Sequence, residues 1–252
     1  MSFVDEQLSR DDFLDGEVRI WQPLTGYRAA TDPVFLAAAV AAKPGQSVLE
    51  LGCGVGTALL CLAARIDGLD LNGVELQADY AALAHRNAVE NDVTLTITQA
   101  DVTDMPLSVR DRIFDEVMTN PPYYAAATAS PPDDPGKDVA NREGVGLQDW
   151  IKICLRRTAP LGHFTLIHKA ERLAEILSAL HGKTGDICVK PLTSRAGRDA
   201  GRVIVRARKG ARGPLRLLPP LILHTGESHV RDGENYSPEA RKLLRTIQPM
   251  VL

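Results

Sequence analysis

Short apolar runs alternate with longer amphipathic segments through the first half of the chain, and this alternation determines the predicted elements. Apolar runs predict buried strands over 47–51, 70–75, 94–99 and 114–119. Amphipathic periodicity between them predicts helices over 57–66 and 77–91. Because strands that alternate with helices form parallel sheets, the sequence predicts an α/β fold with helices on both faces of the sheet.

The pattern differs at the amino-terminal end. Residues 1–16 are polar and are expected to be poorly ordered, whereas 17–27 alternates and then turns, as in a small hairpin. An alanine-rich helix is predicted over 33–42, with Asp32 as its N-cap ahead of a proline. We therefore predict an amino-terminal extension over 1–32, followed by one main domain over 33–252.

The carboxyl-terminal half continues the alternation and ends in paired strands. Its predicted elements are helices over 147–159 and 170–181 and strands over 162–167, 185–190 and 201–208. Together with the first four strands they make a mostly parallel, seven-stranded sheet. Ser237 is the predicted N-cap of a final short helix.

Composition mainly excludes classes of protein. The chain has 252 residues, a net charge of −3 and four cysteines, none of them at metal-ligand spacing. This usage indicates a reducing compartment and no metal site. The first residues are acidic and polar, and no run of about 18 apolar residues occurs. We expect a soluble, cytoplasmic protein that does not bind a membrane; its oligomeric state is not predicted.

Three glycines, Gly52, Gly54 and Gly56, stand between the first buried strand and the next helix. Glycines let the backbone turn tightly and approach a ligand, and the helix amino terminus directs free amides toward it. The G-x-G-x-G spacing differs from the G-x-G-x-x-G of dinucleotide binders, which argues against an NAD-dependent oxidoreductase. The amino end of the helix over 33–42 is a second candidate anion site, with Arg28 beside it.

Two acids stand at the ends of the next predicted strands. Glu75 lies about 20 residues beyond the glycines, where a carboxylate can accept both ribose hydroxyls of a nucleoside cofactor. An exposed acid that caps the following helix is the alternative. Asp101 follows the third strand, at the place where such folds hydrogen-bond an adenine amine. These acids are therefore candidate cofactor ligands.

The tetrapeptide Asn120-Pro121-Pro122-Tyr123 follows the fourth strand, at the sheet edge where ligands of open α/β sheets bind. A planar amine is a poor nucleophile because its lone pair is delocalised. The Asn120 side-chain oxygen and the Pro121 carbonyl oxygen offer two acceptors for its hydrogens, and Tyr123 offers a face for stacking. A rigid turn without chemistry is the alternative. The Pro- and Gly-rich segment 124–146 that follows is either a substrate loop or disordered.

The most basic part of the chain is a segment that we call the basic strip. It contains one acid, Asp199, and eight basic residues: Arg195, Arg198, Arg202, Arg206, Arg208, Lys209, Arg212 and Arg216. Clustered cations of this kind are a candidate contact for nucleic-acid phosphates. A solvated strand face is the alternative. None of the six histidines has a Cys or an acid at catalytic spacing, so we expect structural or surface roles for all of them.

These motifs together resemble class I S-adenosylmethionine-dependent methyltransferases and, more narrowly, the bacterial family that methylates the N6 amine of adenosine 37 in a valine tRNA. The resemblance covers about 20–240. Its family-specific parts are Gly26-Tyr27-Arg28 and the run from Pro220 to His224. Glu50 and Cys53 depart from the usual first motif, which has Asp and small residues, and Ala29 stands where an aromatic tends to follow Arg28.

The resemblance implies a Rossmann-like fold, S-adenosylmethionine as the cofactor and an RNA substrate, most specifically a tRNA. It implies that the target base is held by Asn120, Pro121 and Tyr123, and that phosphates are held by the basic strip. The implied cofactor-binding residues are Arg28, Asp32, Glu50, Gly52, Cys53, Gly54, Gly56, Glu75, Asp101 and Asn120. A protein glutamine N5-methyltransferase, an rRNA or DNA adenine methyltransferase, and a non-catalytic RNA-binding module remain as alternatives.

Overall fold

The computed structural model describes residues 3–122, 145–226 and 235–252. The strands are β1 Leu8–Phe13, β2 Val18–Pro23, β3 Ser47–Leu51, β4 Asp70–Glu75, β5 Leu95–Gln99, β6 Phe114–Thr119, β7 Thr158–Lys169, β8 Thr184–Thr193, β9 Ala200–Lys209, β10 Arg216–Leu217 and β11 Leu221–Ile222. The helices are α1 Thr31–Ala39, α2 Thr57–Ala63, α3 Ala78–Glu90, α4 Leu107–Arg110, α5 Leu147–Arg157, α6 Leu173–Leu180 and α7 Pro238–Arg245.

One large sheet, with the strand order β10-β8-β9-β7-β6-β3-β4-β5, forms the centre of the fold. Strands β3 to β7 pair in parallel, and β9 runs antiparallel between β7 and β8. The predicted seven-stranded, mostly parallel, Rossmann-like sheet is therefore confirmed in β3 to β9. The two-residue strands β10 and β11 add short parallel pairings along β8.

Helices cover both faces of this sheet, as predicted. Val48 of β3 packs in the apolar cluster that contains α1, α2 and α3. Its neighbours Leu49 and Leu51 pack in the cluster that contains α5 and α6. Because successive side chains of a strand point to opposite faces, these two clusters are the cores on either side of the sheet. No helix within the described ranges is long and apolar enough to cross a bilayer.

The strand order reverses between β3 and β6. From β3 the chain builds outward to β4 and β5 on one side, and from β6 to β7 on the other. Leu51 and Thr119, the last residues of β3 and β6, face each other in register. A crevice opens at such a switch point because the loops that follow the two strands diverge. The residues after Leu51 and Thr119 therefore meet at one edge of the sheet, here called the carboxyl edge.

The amino-terminal hairpin differs in detail from the prediction. Strands β1 and β2 pair antiparallel from Leu8 opposite Pro23 to Phe13 opposite Val18. The expected disorder of residues 1–16 is therefore wrong for the described part of that segment, and the hairpin turn follows Phe13 rather than β2. The hairpin is ordered by docking on α3, where Asn87 accepts a hydrogen bond from the Trp21 amide (2.7 Å) and donates one to the Trp21 carbonyl (3.1 Å).

Two predicted helix caps have different outcomes. Helix α1 begins at Thr31, and no side chain caps it. The prediction of Asp32 as N-cap is therefore wrong, because its carboxylate pairs instead with Arg202 of β9 (Nε to Oδ2, 3.1 Å). Ser237 does cap α7: its Oγ accepts a hydrogen bond from the Ala240 amide at 3.1 Å. The boundary between an extension and a main domain at residue 32 stays a prediction.

Candidate active site

The glycine loop turns sharply between β3 and α2. Gly52, Gly54 and Gly56 have φ values of +74°, +54° and +85°, a region that side chains other than glycine rarely adopt. The Gly52 amide donates to the Val74 carbonyl at 2.8 Å, which holds the loop against β4. A Cβ at Gly52 would lie 3.2 Å from the Trp150 ring, and one at Gly54 would lie 3.6 Å from the Tyr27 ring. Both positions are therefore approached closely by other parts of the chain.

Glu75 braces the same loop from the end of β4. Its Oε2 accepts a hydrogen bond from the Gly54 amide and its Oε1 accepts one from the Gln77 amide, both at 2.9 Å. The side chain is buried, so the alternative of an exposed acid does not hold, and burial raises the pKa of its carboxyl. A carboxylate oxygen can accept two hydrogen bonds, so each Glu75 oxygen can still accept one from a ligand.

A small pocket lies beside the loop at the carboxyl edge. Its lining joins the glycine loop to α1, α2 and the residue after β6, and consists of Tyr27, Ala29, Pro33, Glu50, Gly52, Cys53, Val55, Thr57, Ala58 and Asn120. The structure thus brings together the predicted residues Glu50, Gly52, Cys53 and Asn120, which are separated in sequence by up to 70 positions. Gly54 and Gly56 belong to the glycine loop but do not line the pocket, and Glu75 hydrogen-bonds that loop through the Gly54 amide.

Three buried polar atoms around this pocket have no hydrogen-bond partner among the described residues. They are Glu50 Oε2, Thr57 Oγ1 and Asn120 Oδ1. A buried polar atom left unpaired costs about 1–3 kcal/mol, so such atoms are rare in folded proteins. Their convergence on one pocket indicates that a polar ligand completes the site.

The charge of the pocket favours a cation. Burial and the nearby Glu75 carboxylate raise the pKa of the Glu50 carboxyl well above its usual range. Burial and the same two acids raise the pKa of the Cys53 thiol, which is therefore neutral and no nucleophile. An ammonium or sulfonium ion would relieve the repulsion between the two carboxyls. Within the described ranges no cluster of three or more His, Cys, Asp or Glu side chains could hold a metal.

Tyr27 is a pocket residue that the sequence argument did not select. Its backbone is held by the Tyr80 hydroxyl, which accepts from the Tyr27 amide (3.0 Å) and donates to its carbonyl (3.2 Å). Burial, followed by Glu50, Asp32 and Glu75, raises the pKa of its phenol. The Gly26-Tyr27-Arg28 motif contained the signal, but nothing in the sequence showed which of its side chains enters the pocket.

Three predicted cofactor residues are not placed at the pocket. The Arg28 guanidinium donates to Ser9 Oγ at 2.9 Å and to Asp11 at 2.6 Å, because the hairpin packs over it. Asp32 pairs with Arg202. Asp101 Oδ1 closes a local turn by accepting from the Thr103 amide and hydroxyl, both at 2.7 Å. Cofactor binding by these three residues stays a prediction.

The tetrapeptide is described only in part. Asn120 follows β6 directly, and its side chain lines the pocket. Pro121 and Pro122 follow Asn120 directly. Tyr123 and residues 124–144 of the predicted substrate loop lie outside the described residues.

The basic strip extends from one edge of the sheet toward the other, and its role as a phosphate contact stays a prediction. Strand β9 is antiparallel, so Arg202 lies at the carboxyl edge opposite Lys169, whereas Arg208 lies opposite His163 toward the other edge. Six residues of strand separate them by about 20 Å. Only the first residues of the basic strip, up to Arg202, lie near enough to the carboxyl edge to contact a phosphate of a substrate bound there.

Most of the other cations in the strip bind the protein itself. Arg206 donates to the Ala39 carbonyl (3.3 Å) and to the Leu252 carbonyl (3.2 Å). Carbonyl oxygens also accept from Arg208 (3.0 Å) and Lys209 (2.6 Å), and Cys188 Sγ contacts Arg216 at 2.8 Å. A run of basic residues in the sequence cannot distinguish these internal partners from free charge.

Two further residues at the carboxyl edge were not selected from the sequence. Trp150 of α5 donates through Nε1 to Thr119 Oγ1 at 2.9 Å, directly before Asn120. His168 is fully buried near the end of β7, and burial, with Arg172, lowers its pKa to about 4. Both depend on contacts between distant segments, which spacing along the chain does not show.

Comparison with known proteins shows which family the chain resembles. The family model described as "Methyltransferase small domain" matches residues 31–131, the range that contains the glycine loop, Glu75, Asp101 and Asn120. The chain is 27% identical over 190 residues to the tRNA1(Val) (adenine(37)-N6)-methyltransferase of Aeromonas hydrophila, covering 73% of this chain and 77% of the relative. It is 26% identical over 222 residues to the protein of the same name from Yersinia enterocolitica, covering 84% and 87%.

A solved structure supports the same assignment. The crystal structure of a predicted O-methyltransferase from Agrobacterium tumefaciens superposes with a TM-score of 0.70 at 26% identity, covering 88% of this chain and all of that one. The fold, the glycine loop and these similarities identify the chain as a class I S-adenosylmethionine-dependent methyltransferase, an EC 2.1.1 enzyme with distant homology to the tRNA1(Val) adenine-37 N6-methyltransferases.

Proposed function

We propose that this enzyme methylates the N6 amine of an adenine in RNA, and that its substrate is a tRNA, with adenosine 37 of a valine tRNA as the first candidate. The observation that carries the proposal is Asn120 Oδ1, a buried acceptor with no partner among the described residues, at the end of β6 beside the glycine loop. An acceptor held in this way suits the hydrogens of an exocyclic amine. The tRNA1(Val) (adenine(37)-N6)-methyltransferases among its relatives support the choice of RNA.

The residues present fit the cofactor. Glycines permit close approach along one side of the pocket, Glu50 supplies a carboxylate for a cation, and Glu75 keeps acceptor capacity for hydroxyls. Thr57 Oγ1 adds a further unpaired polar atom. When bound, S-adenosylmethionine supplies an electrophilic methyl group on a sulfonium. Asp101 stays a proposed adenine ligand of the cofactor, since its turn lies just beyond β5 at the same edge.

Asn120 and Pro121 would act by orientation rather than by removing a proton beforehand. Two acceptors on the amine hydrogens direct the nitrogen lone pair out of the base plane, toward the methyl group. As the nitrogen–methyl bond formed and the methyl–sulfur bond broke, leaving the neutral thioether, the attacking nitrogen would become positively charged and would then release one of its protons to solvent. Fixed geometry between the reacting atoms lowers the activation free energy of such a reaction by several kcal/mol.

An adenine in a folded RNA has to leave its stack to reach this pocket. Extrusion of a base costs a few kcal/mol, and stacking on an aromatic side chain returns about 1–3 kcal/mol. Tyr123, the residue after the two prolines, is the proposed stacking partner. Its role is tested by comparing Tyr123→Phe, which keeps the ring, with Tyr123→Ala.

The phosphate contacts proposed here are limited to the carboxyl edge. Arg195, Arg198 and Arg202 lie in or next to the turn that joins β8 to β9, near that edge. Arg195 is held by the Thr225 and Gly226 carbonyls, both at 2.7 Å, while Arg198 is exposed. Arg206, Arg208 and Lys209 follow along β9 away from this edge, so they are not proposed as primary contacts.

The test is transfer of labelled methyl from S-adenosylmethionine to total tRNA from a strain that lacks the protein, followed by nucleoside analysis. Label in N6-methyladenosine supports the proposal, and mapping of the labelled tRNA then tests adenosine 37. If tRNA stays unlabelled while S-adenosylhomocysteine demonstrably binds, the tRNA proposal fails. Ribosomal RNA, DNA and a protein glutamine are then assayed in the same way.

A further inference from the structure

We propose that Trp150 is a positioning residue, which sets the separation between the glycine loop and Asn120 through the hydroxyl of Thr119. The inference rests on the proposed role of Asn120 for its catalytic consequence, but its structural basis is independent of the methyl acceptor. It assigns a function to a side chain that touches neither the amine nor its acceptors.

Three elements are joined by two consecutive hydrogen bonds. The Trp150 Nε1–H of α5 donates to Thr119 Oγ1 of β6 at 2.9 Å. The Thr119 hydroxyl in turn donates to the Leu51 carbonyl of β3 at 2.8 Å. A hydroxyl has one hydrogen to donate, so the direction of the chain is fixed: indole to threonine to β3. Thr119 is fully buried and Trp150 is 9% exposed, so water does not compete strongly for these bonds.

These two hydrogen bonds lie at the end of the pairing between β3 and β6. Leu51 and Thr119 are the last paired residues of β3 and β6. The next residues are Gly52, the first of the glycine loop, and Asn120. Backbone ladder bonds keep strands about 4.8 Å apart only as far as the ladder extends. Beyond it, the Thr119 side chain makes the last link between the two segments that would hold methyl donor and acceptor.

The indole also limits the glycine loop directly. A Cβ at Gly52 would lie 3.2 Å from Trp150 Cζ2. The ring therefore packs against the loop at Gly52, as the Tyr27 ring does at Gly54. Helix α5 holds the ring in place because Leu147, Ile151 and Cys154 are buried in the same apolar cluster. One rigid side chain thus contacts the donor side and hydrogen-bonds the acceptor side.

Packing alone does not require this arrangement. An apolar ring would fill the same space without a buried N–H that needs a partner. Displacement of reacting groups by about 1 Å can cost on the order of 100-fold in rate. Loss of the hydrogen bonds is therefore expected to lower kcat more than it weakens cofactor binding.

The test compares Trp150→Phe, which removes the first hydrogen bond, and Thr119→Val, which removes both, with Thr119→Ser, which keeps the hydroxyl. In the labelled-methyl assay we expect kcat to fall at least about tenfold for the first two, with the KM for S-adenosylmethionine changed less than about twofold. Thr119→Ser should restore most of kcat. The double variant should be no slower than the slower single variant, because both act on one chain. Trp21→Phe is the matched control, since that ring lies on the hairpin against Arg86.

A second readout needs no methyl acceptor. With ¹⁵N-labelled tryptophan, saturating S-adenosylhomocysteine should shift the indole N–H resonance of Trp150 and leave that of Trp21 in place. An unshifted Trp150 resonance with ligand bound overturns the inference, whichever substrate the enzyme has. Wild-type kcat in Thr119→Val also overturns it, as does a kcat loss that Thr119→Ser fails to restore. By contrast, absence of label in tRNA with a shifted Trp150 resonance contradicts only the proposed function.

Discussion

Glu50, Thr57 and Asn120 each bury an oxygen that no described residue satisfies, and all three oxygens face one pocket. Asn120 was predictable from the sequence because it follows a buried strand, and Glu50 was implied by the resemblance to methyltransferases. Thr57 and Tyr27 were not, because many residues near a loop have similar local patterns. The partners of Arg28 were not predictable either: its guanidinium hydrogen-bonds Ser9 and Asp11 of β1, a strand that the local pattern does not indicate.

Glu50 should link cofactor affinity to pH. Burial and Glu75 raise its pKa in the free protein, and a cationic ligand favours the carboxylate. S-adenosylmethionine should therefore bind more tightly as pH rises through this raised pKa, and binding should release a proton. Calorimetry at one pH in two buffers of different ionisation enthalpy measures that proton. Glu50→Gln should bind without proton release; equal release by the variant and the wild type would exclude Glu50 as its source.

His168 should lower stability in mild acid. Its pKa is about 4 in the folded protein, against an ordinary value of 6.5, because of burial and then Arg172. Between these values the unfolded chain binds the proton and the folded chain does not, so the free energy of unfolding falls as pH drops from 6.5 toward 4. The full loss is about 3 kcal/mol.

Urea unfolding at several pH values, compared between wild type and His168→Gln, isolates this contribution from those of buried acids such as Glu50. The variant should lose that part of the pH dependence. His181→Gln is the control, because His181 is exposed and should leave the profile unchanged. Identical profiles for wild type and His168→Gln would refute the assignment.

At the scale of elements, the regular strand and helix pattern from β3 to β9 was predictable because each element buries one face with its own periodicity. Strand β1 was not, since Leu8–Phe13 contains three charged residues and buries only Leu8. Its order comes from pairing with β2, which is docked on α3 through Asn87. Pairing with distant residues therefore determines whether a segment forms a strand when its own hydrophobic pattern is weak.

The glycine loop gives a prediction at this scale. Gly52→Ala adds a Cβ at φ +74° and 3.2 Å from the Trp150 ring, whereas Gly45→Ala adds one at φ +85° with open space around it. Both should lose about 1–2 kcal/mol of stability from backbone strain. Only Gly52→Ala should also weaken binding of S-adenosylhomocysteine, by at least about tenfold, because its loop approaches the ligand. Equal affinities in the two variants would show that close approach at Gly52 does not matter for binding.

At the scale of the whole molecule, the direction of β9 determines which residues of the basic strip lie near the carboxyl edge. The sequence showed eight cations in one segment, and their separation between two edges follows only from strand direction and register. The convergence of the glycine loop and Asn120 was predictable, since parallel strands end at one edge. The partners of the cations were not, because they come from β7, from α1 and from the end of the chain.

Arg198 and Arg212 are a matched pair for testing this division. Both are exposed, and they lie on opposite sides of β9 in the sequence. Arg198→Ala should weaken tRNA binding and reduce the salt dependence of the binding constant by roughly one phosphate contact, while Arg212→Ala should change neither. Filter binding at several salt concentrations measures both quantities. A larger effect at Arg212 would place the RNA at the other edge of the sheet.

The claim on which the account depends is that the Asn120 side chain binds the acceptor amine. The most direct measurement is the rate of N6-methyladenosine formation in tRNA by wild type and Asn120→Ala, with the dissociation constant for S-adenosylhomocysteine determined for both. We expect Asn120→Ala to lower the rate at least about 100-fold at a nearly unchanged dissociation constant, because the lost hydrogen bond is made to the reacting amine. A variant that binds the cofactor and methylates tRNA at the wild-type rate would contradict it.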